Sequence, residues 1–333
     1  MARTLDILIP MYNEGFEMVK PLLDTIQLQQ GIDLNEVGVI ICCDGGTTDI
    51  TKDQLEPYSF HTEFHKCDHH GVSATRNKCL EYSTAKYVSF SDCDDMYMNM
   101  CGLYIVFREI NELNGFDVLV SVFTEETRDP KYPDKPVFIN HDMDTTFVHG
   151  KFFRRQYLID NNIKFDPSLT IHEDSYFNCL AQRLASKDNV KYCPQPFYLW
   201  RWNSDSVCRH DKKYLLKTFN NMIDSNTSLI EQFTSRKKYD EVKYFICALV
   251  YESYFTLNLD EWISQENQEY RYNTELRFKK YWFTYKDKFN ELTKEEKTMI
   301  ASGMRQRKYA EGLLNESITF DDFINRIENL EDK

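Results

Sequence analysis

Three aspartates, Asp92, Asp94 and Asp95, crowd into four positions of the run SFSDCDDMY (89–97). Carboxylates this close repel one another unless a cation neutralises them. Hard divalent cations take oxygen ligands, and Mg²⁺ is often shared between one or two carboxylates and a substrate phosphate. The Asp-Cys-Asp spacing therefore points to an ion held for a diphosphate. Taken alone, the pattern reads more often as a solvated acidic turn, in which Asp94 or Asp95 caps the following helix. A second acidic cluster, HEDSYF (172–177), begins like a zinc-protease HExxH site. It departs from one because Tyr176 stands where the second histidine belongs.

The elements that must position these groups are legible in the apolar pattern. Short buried strands are expected at 4–10, 37–43, 86–91 and 116–123, with a weaker one at 60–66. Helical spacing of apolar residues is expected at 16–30, 72–82 and 102–113. Strand–helix alternation of this kind predicts an α/β layer with a mostly parallel central sheet. Ligands of such sheets gather beyond the carboxyl ends of the strands, where Asp44 and the 92–95 cluster both fall. Residues 124–150, rich in Asp, Pro and Lys, read as a mobile loop. Beyond about residue 212 the pattern turns helical, with few Gly or Pro. Two domains follow, 1–212 and a helical 213–333, and the length of 333 residues agrees with the usual prior.

Composition narrows the class. A formal net charge of −13 opposes bulk nonspecific binding to nucleic acid, which depends on neutralising phosphates. No run of about 18 apolar residues occurs, so no membrane span is expected. The N-terminus lacks a secretory pattern. The ten cysteines contain no CxxC pair and read as reduced thiols of a cytoplasmic protein.

Six segments in order, ILIPMYNE (7–14), CDGGTTD (43–49), GVSATRN (71–77), SDCDD (91–95), HGKFFRR (149–155) and HEDSYF (172–177), resemble glycosyltransferase family 2. The nearest likeness is to members carried in tailed-bacteriophage genomes, and it spans roughly 4–210. The resemblance implies a GT-A fold and inverting transfer of a sugar from a nucleotide donor, UDP-linked, with Mn²⁺ or Mg²⁺. It implies that Pro10, Tyr12 and Glu14 begin the nucleotide site, that Asp44 faces the uracil and that Arg76 packs by the base. Asp94 is implied as metal ligand, and Asp92 as a ribose or outer-shell contact. Asp174 is implied as catalytic base, with Glu173 the alternative. An acceptor hydroxyl must lose its proton as it attacks, and a positioned carboxylate can take it. Arg201, Ser206 and Arg209 resemble the diphosphate contacts, and His210 is a candidate to complete the metal shell. His149 is either an active-site group or a core histidine. The sequence departs from the family's Asp-Asp-Gly-Ser at Cys43-Asp44-Gly45-Gly46.

The acceptor is less constrained. In RFKKYWFTYKDKF (277–289), Phe278, Trp282, Tyr285 and Phe289 share a helical face flanked by Arg277, Lys279, Lys280, Lys286 and Lys288. The face either packs in a core with its cations in water, or forms a platform for a polyanion. The acceptor reading slightly favoured is a hydroxylated base in phage DNA. The alternative is teichoic acid or another surface glycan. An inactive member serving as a binding module is a reading of another class, opposed by the intact Asp92, Asp94 and Asp174.

Overall fold

The computed structural model describes residues 3–111, 115–204, 212–258, 268–310 and 312–331, with only the backbone for 212–217. The chain divides into two compact units, Met1–Ser206 and Val207–Lys333.

In chain order the first unit is built from β1 (Leu5–Met11), α1 (Phe16–Gln27), β2 (Val37–Asp44), α2 (Lys52–Leu55), β3 (His61–Cys67), α3 (Val72–Tyr82), β4 (Tyr87–Phe90), β5 (Met96–Tyr97), α4 (Gly102–Asn111), β6 (Val118–Arg128), β7 (Pro136–His141), β8 (Lys151–Arg154), α5 (Arg155–Asp160), α6 (Glu173–Leu184) and β9 (Val190–Trp200). One nine-stranded sheet runs β3-β2-β1-β4-β8-β6-β9-β5, with β7 paired to β6. The β3-β2-β1-β4 half is parallel. Every residue of β1, β2 and β4 is buried, as expected for strands covered on both faces. Helix α1 seals one side with Val19, Leu22, Leu23 and Ile26. Buried Asp6 is satisfied by Arg3 at 2.7 Å and Ser83 Oγ at 2.7 Å.

Beyond β4 the pairing becomes mixed. β8 lies antiparallel between β4 and β6, while β9 runs parallel to β6. Here the loop expected over 124–150 is corrected. β6 continues to Arg128 and returns as β7 in an antiparallel hairpin, Phe123 opposite His141 and Arg128 opposite Pro136. The backbone hydrogen bonds of that segment are made within the sheet rather than with water.

The second unit is helical: α7 (Lys212–Ser235), α8 (Tyr239–Thr256), α9 (Gln268–Glu291), α10 (Lys294–Ala310) and α11 (Phe320–Glu328). The aromatic face of 277–289 lies in its core. Phe278, Trp282 and Phe289 are buried, Phe278 stacks on Phe323 at 5.7 Å, and Trp282 Nε1 donates to Glu328 at 2.7 Å. Arg277 pairs with Asp224 and Lys279 donates to the Leu330 carbonyl. These buried rings hold helices together, whereas Phe283, on the same helix, is exposed with Lys286 Nζ 4.3 Å from its ring centroid. Among the described residues, no helix is long and apolar enough to cross a membrane.

Candidate active site

The site is assembled at the carboxyl ends of three adjacent parallel strands. β1 delivers Pro10 and leads into Tyr12 and Glu14, β2 ends on Asp44, and β4 leads into Asp92, Asp94 and Asp95. Glu14 accepts from the Tyr12 backbone N–H at 2.6 Å and fixes the first turn. Tyr12 is 44% exposed, with its ring 4.9 Å from that of His69.

Asp44 is buried, and its carboxylate accepts from the backbone N–H of His70 at 2.8 Å and of Gly71 at 2.9 Å, and from His69 Nδ1 at 2.9 Å. Burial pushes this carboxyl up. The His70 and Gly71 amides, the Thr75 hydroxyl and His69 outweigh it, and the net effect is a value below the usual range. Asp44 thus pins the start of α3, the helix that carries Arg76. The two departures from the family's turn meet on one atom. Cys43 Sγ donates to the Tyr12 carbonyl at 3.1 Å, and a Cβ on Gly46 would stand 1.8 Å from that same oxygen. A serine does not fit there, because the two loops approach too closely.

Arg76, only 3% exposed, is the hub. Its Nη2 reaches Asp92 Oδ1 at 3.0 Å, and its Nη1 reaches Glu173 Oε1 at 3.0 Å and Asp174 Oδ1 at 2.7 Å. One guanidinium therefore joins the aspartate-rich turn to the N-terminus of α6. Burial disfavours its charge, but Asp174, Asp92 and Glu173 overcome that and hold it protonated. Burial would likewise raise Asp92, and Arg76 reverses this so that Asp92 stays ionised.

The other two aspartates lack such a partner. Asp94 accepts from Asn203 Nδ2 at 2.8 Å, and Arg201 Nη1 donates to its carbonyl at 3.3 Å. Asp95 is fully buried, accepting from Tyr198 OH at 2.7 Å and from the Arg201 N–H at 3.0 Å. Burial raises both carboxyls, and the charge of Asp92 raises them further. Beneath them His149 is packed among Phe123, Phe147, Tyr198 and Trp200. Burial pushes its pKa down to about 4, so the ring is neutral at pH 7. Its Nδ1 stands 3.6 Å from Asp95 Oδ2, too far for a hydrogen bond, and makes none elsewhere.

Carboxylate oxygens of Asp92 and Asp95 and a ring nitrogen of His149 lie within 4.8 Å of one another, the one such trio among the described residues. A buried nitrogen without a partner, facing the raised carboxyl of Asp95 with ionised Asp92 close by, fits a divalent cation. Two carboxylates and a neutral imidazole are a donor set that divalent cations accept. Asp94 lies beside this trio rather than in it. Ser206, Arg209 and His210 fall outside the described residues.

Asp174 sits in the first turn of α6, after His172 in the left-handed region at φ 67°. Its second oxygen, Oδ2, accepts from the Val148 N–H at 3.3 Å. Burial raises its carboxyl, Arg76 lowers it, and the charges of Glu173 and Asp92 raise it again, to about 7. A carboxyl poised there is suited to exchange a proton near neutral pH. Sequence reasoning missed Tyr198 and Asn203, which brace Asp95 and Asp94, and the Val148 amide. The signal for the first two lay in YLWRWN, directly beside the candidate Arg201.

Residues 6–170 match the sequence model of glycosyl transferase family 2. The "Uncharacterized glycosyltransferase EpsJ" of Bacillus subtilis (strain 168) is 25% identical over 62% of this chain and 63% of its own. The "Uncharacterized glycosyltransferase YibD" of Escherichia coli (strain K12) is 27% identical over the same shares. The chain thus spans under two thirds of these relatives' length. S. aureus TarS 1-349 in complex with UDP-GlcNAc superposes with a TM-score of 0.64 at 15% identity, covering 95% of this chain and 98% of that one. That likeness establishes the GT-A fold. Through residues 6–170, the chain belongs to glycosyl transferase family 2.

Proposed function

We propose that this protein is an inverting glycosyltransferase that moves a sugar from a UDP-linked donor to a hydroxyl of a polymer acceptor in the cytoplasm. The observation that carries the reading is the Arg76 bridge. It brings Asp92, at the turn suited to a metal-bound diphosphate, and Asp174, suited to take a proton, onto one cation. The TarS complex with UDP-GlcNAc supports a UDP donor.

Tyr12, Glu14 and Asp44 shape the nucleotide end, and Asp92, Asp94 and Arg201 the diphosphate end. Asp92, Asp95 and His149, with Asp94 beside them, would hold Mn²⁺ or Mg²⁺. The ion would supply countercharge to the leaving diphosphate. Asp174 takes the proton of the acceptor hydroxyl as its oxygen bonds to the anomeric carbon and the UDP oxygen departs from the opposite face. Arg76 keeps the base oriented and returns positive charge to the site as Asp174 becomes neutral.

For the acceptor, a surface glycan such as teichoic acid is the reading favoured here over a DNA base. In 277–289 the rings of Phe278, Tyr281, Trp282 and Phe289 are packed away and Phe283 alone is exposed, fewer rings than a run of stacked bases needs. The test is incubation with a panel of nucleotide sugars and with hydroxymethylated DNA or purified teichoic acid, followed by mass spectrometry. UDP release with sugar on the glycan is expected. Sugar on DNA would reverse the acceptor reading. UDP binding with no transfer to any acceptor would favour a binding module.

A further inference from the structure

Lys151 is fully buried in β8. An ammonium in that position is costly unless its hydrogens are used, and an apolar side chain of the same length would fill the space. Its Nζ donates to the Phe147 carbonyl and lies 3.3 Å from Asp144 Oδ1. That same carboxylate oxygen accepts from the Thr146 N–H at 2.9 Å and the Phe147 N–H at 2.8 Å, closing a tight turn. From the other side, Asn178 Nδ2 donates to the Thr146 carbonyl at 2.9 Å and the Phe147 carbonyl at 2.8 Å. Asn178 lies one helical turn beyond Asp174, on the same face of α6. The next amide along the clamped turn is Val148, and it donates to Asp174.

We propose that Lys151 is a positioning residue for the base. It anchors the 144–148 turn so that the Val148 amide holds one oxygen of Asp174 while Arg76 holds the other. The carboxylate is thereby fixed at two points and cannot rotate away from the acceptor hydroxyl. The inference rests on Asp174 being the base. Lys151 touches neither donor nor acceptor, so its removal acts on turnover and not on binding.

Lys151→Met should lower kcat by about 10-fold to 100-fold, because misplacing a reacting group by about 1 Å costs on that order. Donor KM and UDP affinity should stay within about twofold. Lys151→Arg, which keeps the charge, should recover part of the loss. Asp144→Asn loosens the same anchor from its more exposed end and carries the test if the methionine variant does not fold. It should show a smaller fall in kcat with the same unchanged KM. Full turnover in Asp144→Asn and in any folded Lys151→Met, or a rise in KM matching the fall in kcat, overturns the proposal. Asp174→Asn is measured alongside. If that variant keeps its turnover, the base reading itself fails. If it is inactive while the anchor variants are not, only the role of Lys151 fails.

Discussion

Below neutral pH, turnover should fall about tenfold for each unit of acidity, because Asp174 accepts a proton only as a carboxylate. Its carboxyl is pushed up to about 7, burial being the largest cause. Glu173 is the neighbour whose charge can be removed most conservatively. The two carboxylates meet the same Nη1 of Arg76, at 3.0 and 2.7 Å. Their nearest oxygens therefore stand within about 6 Å, where an effective dielectric of roughly 20–40 gives about 1.5–3 kcal/mol of repulsion, or about one to two pH units. Repulsion raises the carboxyl, so Glu173→Gln should move the acid limb down by that amount. The assay is UDP release at saturating donor and acceptor from about pH 5 to about pH 9, a range that brackets the expected limb. A flat profile from pH 5 to 8 in the parent, or a limb that stays put or moves upward in Glu173→Gln, would refute the reasoning.

Two further outcomes follow from the same geometry. Asp174→Asn should lose about 10²-fold or more in turnover with UDP affinity retained, and it should melt higher than the parent. A carboxyl raised from its ordinary value to about 7 contributes stability below the ordinary value that is lost as pH rises through 7, so the gain should be larger at pH 8 than at pH 5, read by thermal melts. Gly46→Ser should cost about 1–3 kcal/mol of stability, the usual range for overpacking, and weaken UDP binding by calorimetry, since its Cβ meets the Tyr12 carbonyl at 1.8 Å; an unchanged melt and affinity would show that the loops can part freely.

The parallel half of the sheet was legible because strands covered on both faces are continuous apolar runs, as in VGVIICC. The hairpin strand β7 was not. It is an edge strand with Phe138, Ile139 and Asn140 all exposed, so no period of two marks it. β9 was hidden by Pro194 and Pro196, near the point where its pairing with β6 shifts register between Ser121 and Phe123. In the site, the acidic clusters became legible only in the company of the other ordered segments, since an acidic turn alone reads more often as a solvated helix cap. The partners of Arg76 did not, since Asp92 and Asp174 lie 16 and 98 positions away in sequence. The nearness of His149 to Asp95 likewise depends on β8 entering beside β4, a topology no local pattern encodes.

The central claim is that Asp174 and a divalent cation at the 92–95 turn act together in sugar transfer from a UDP donor. Its most direct test is UDP release from UDP-GlcNAc in the presence of acceptor, by the parent and by Asp174→Asn and Asp94→Asn, each with Mn²⁺ and with EDTA. The account predicts release only by the parent with Mn²⁺, and Mn²⁺-dependent UDP binding that survives in Asp174→Asn but is weakened in Asp94→Asn. Release that persists in EDTA or in Asp174→Asn would contradict it.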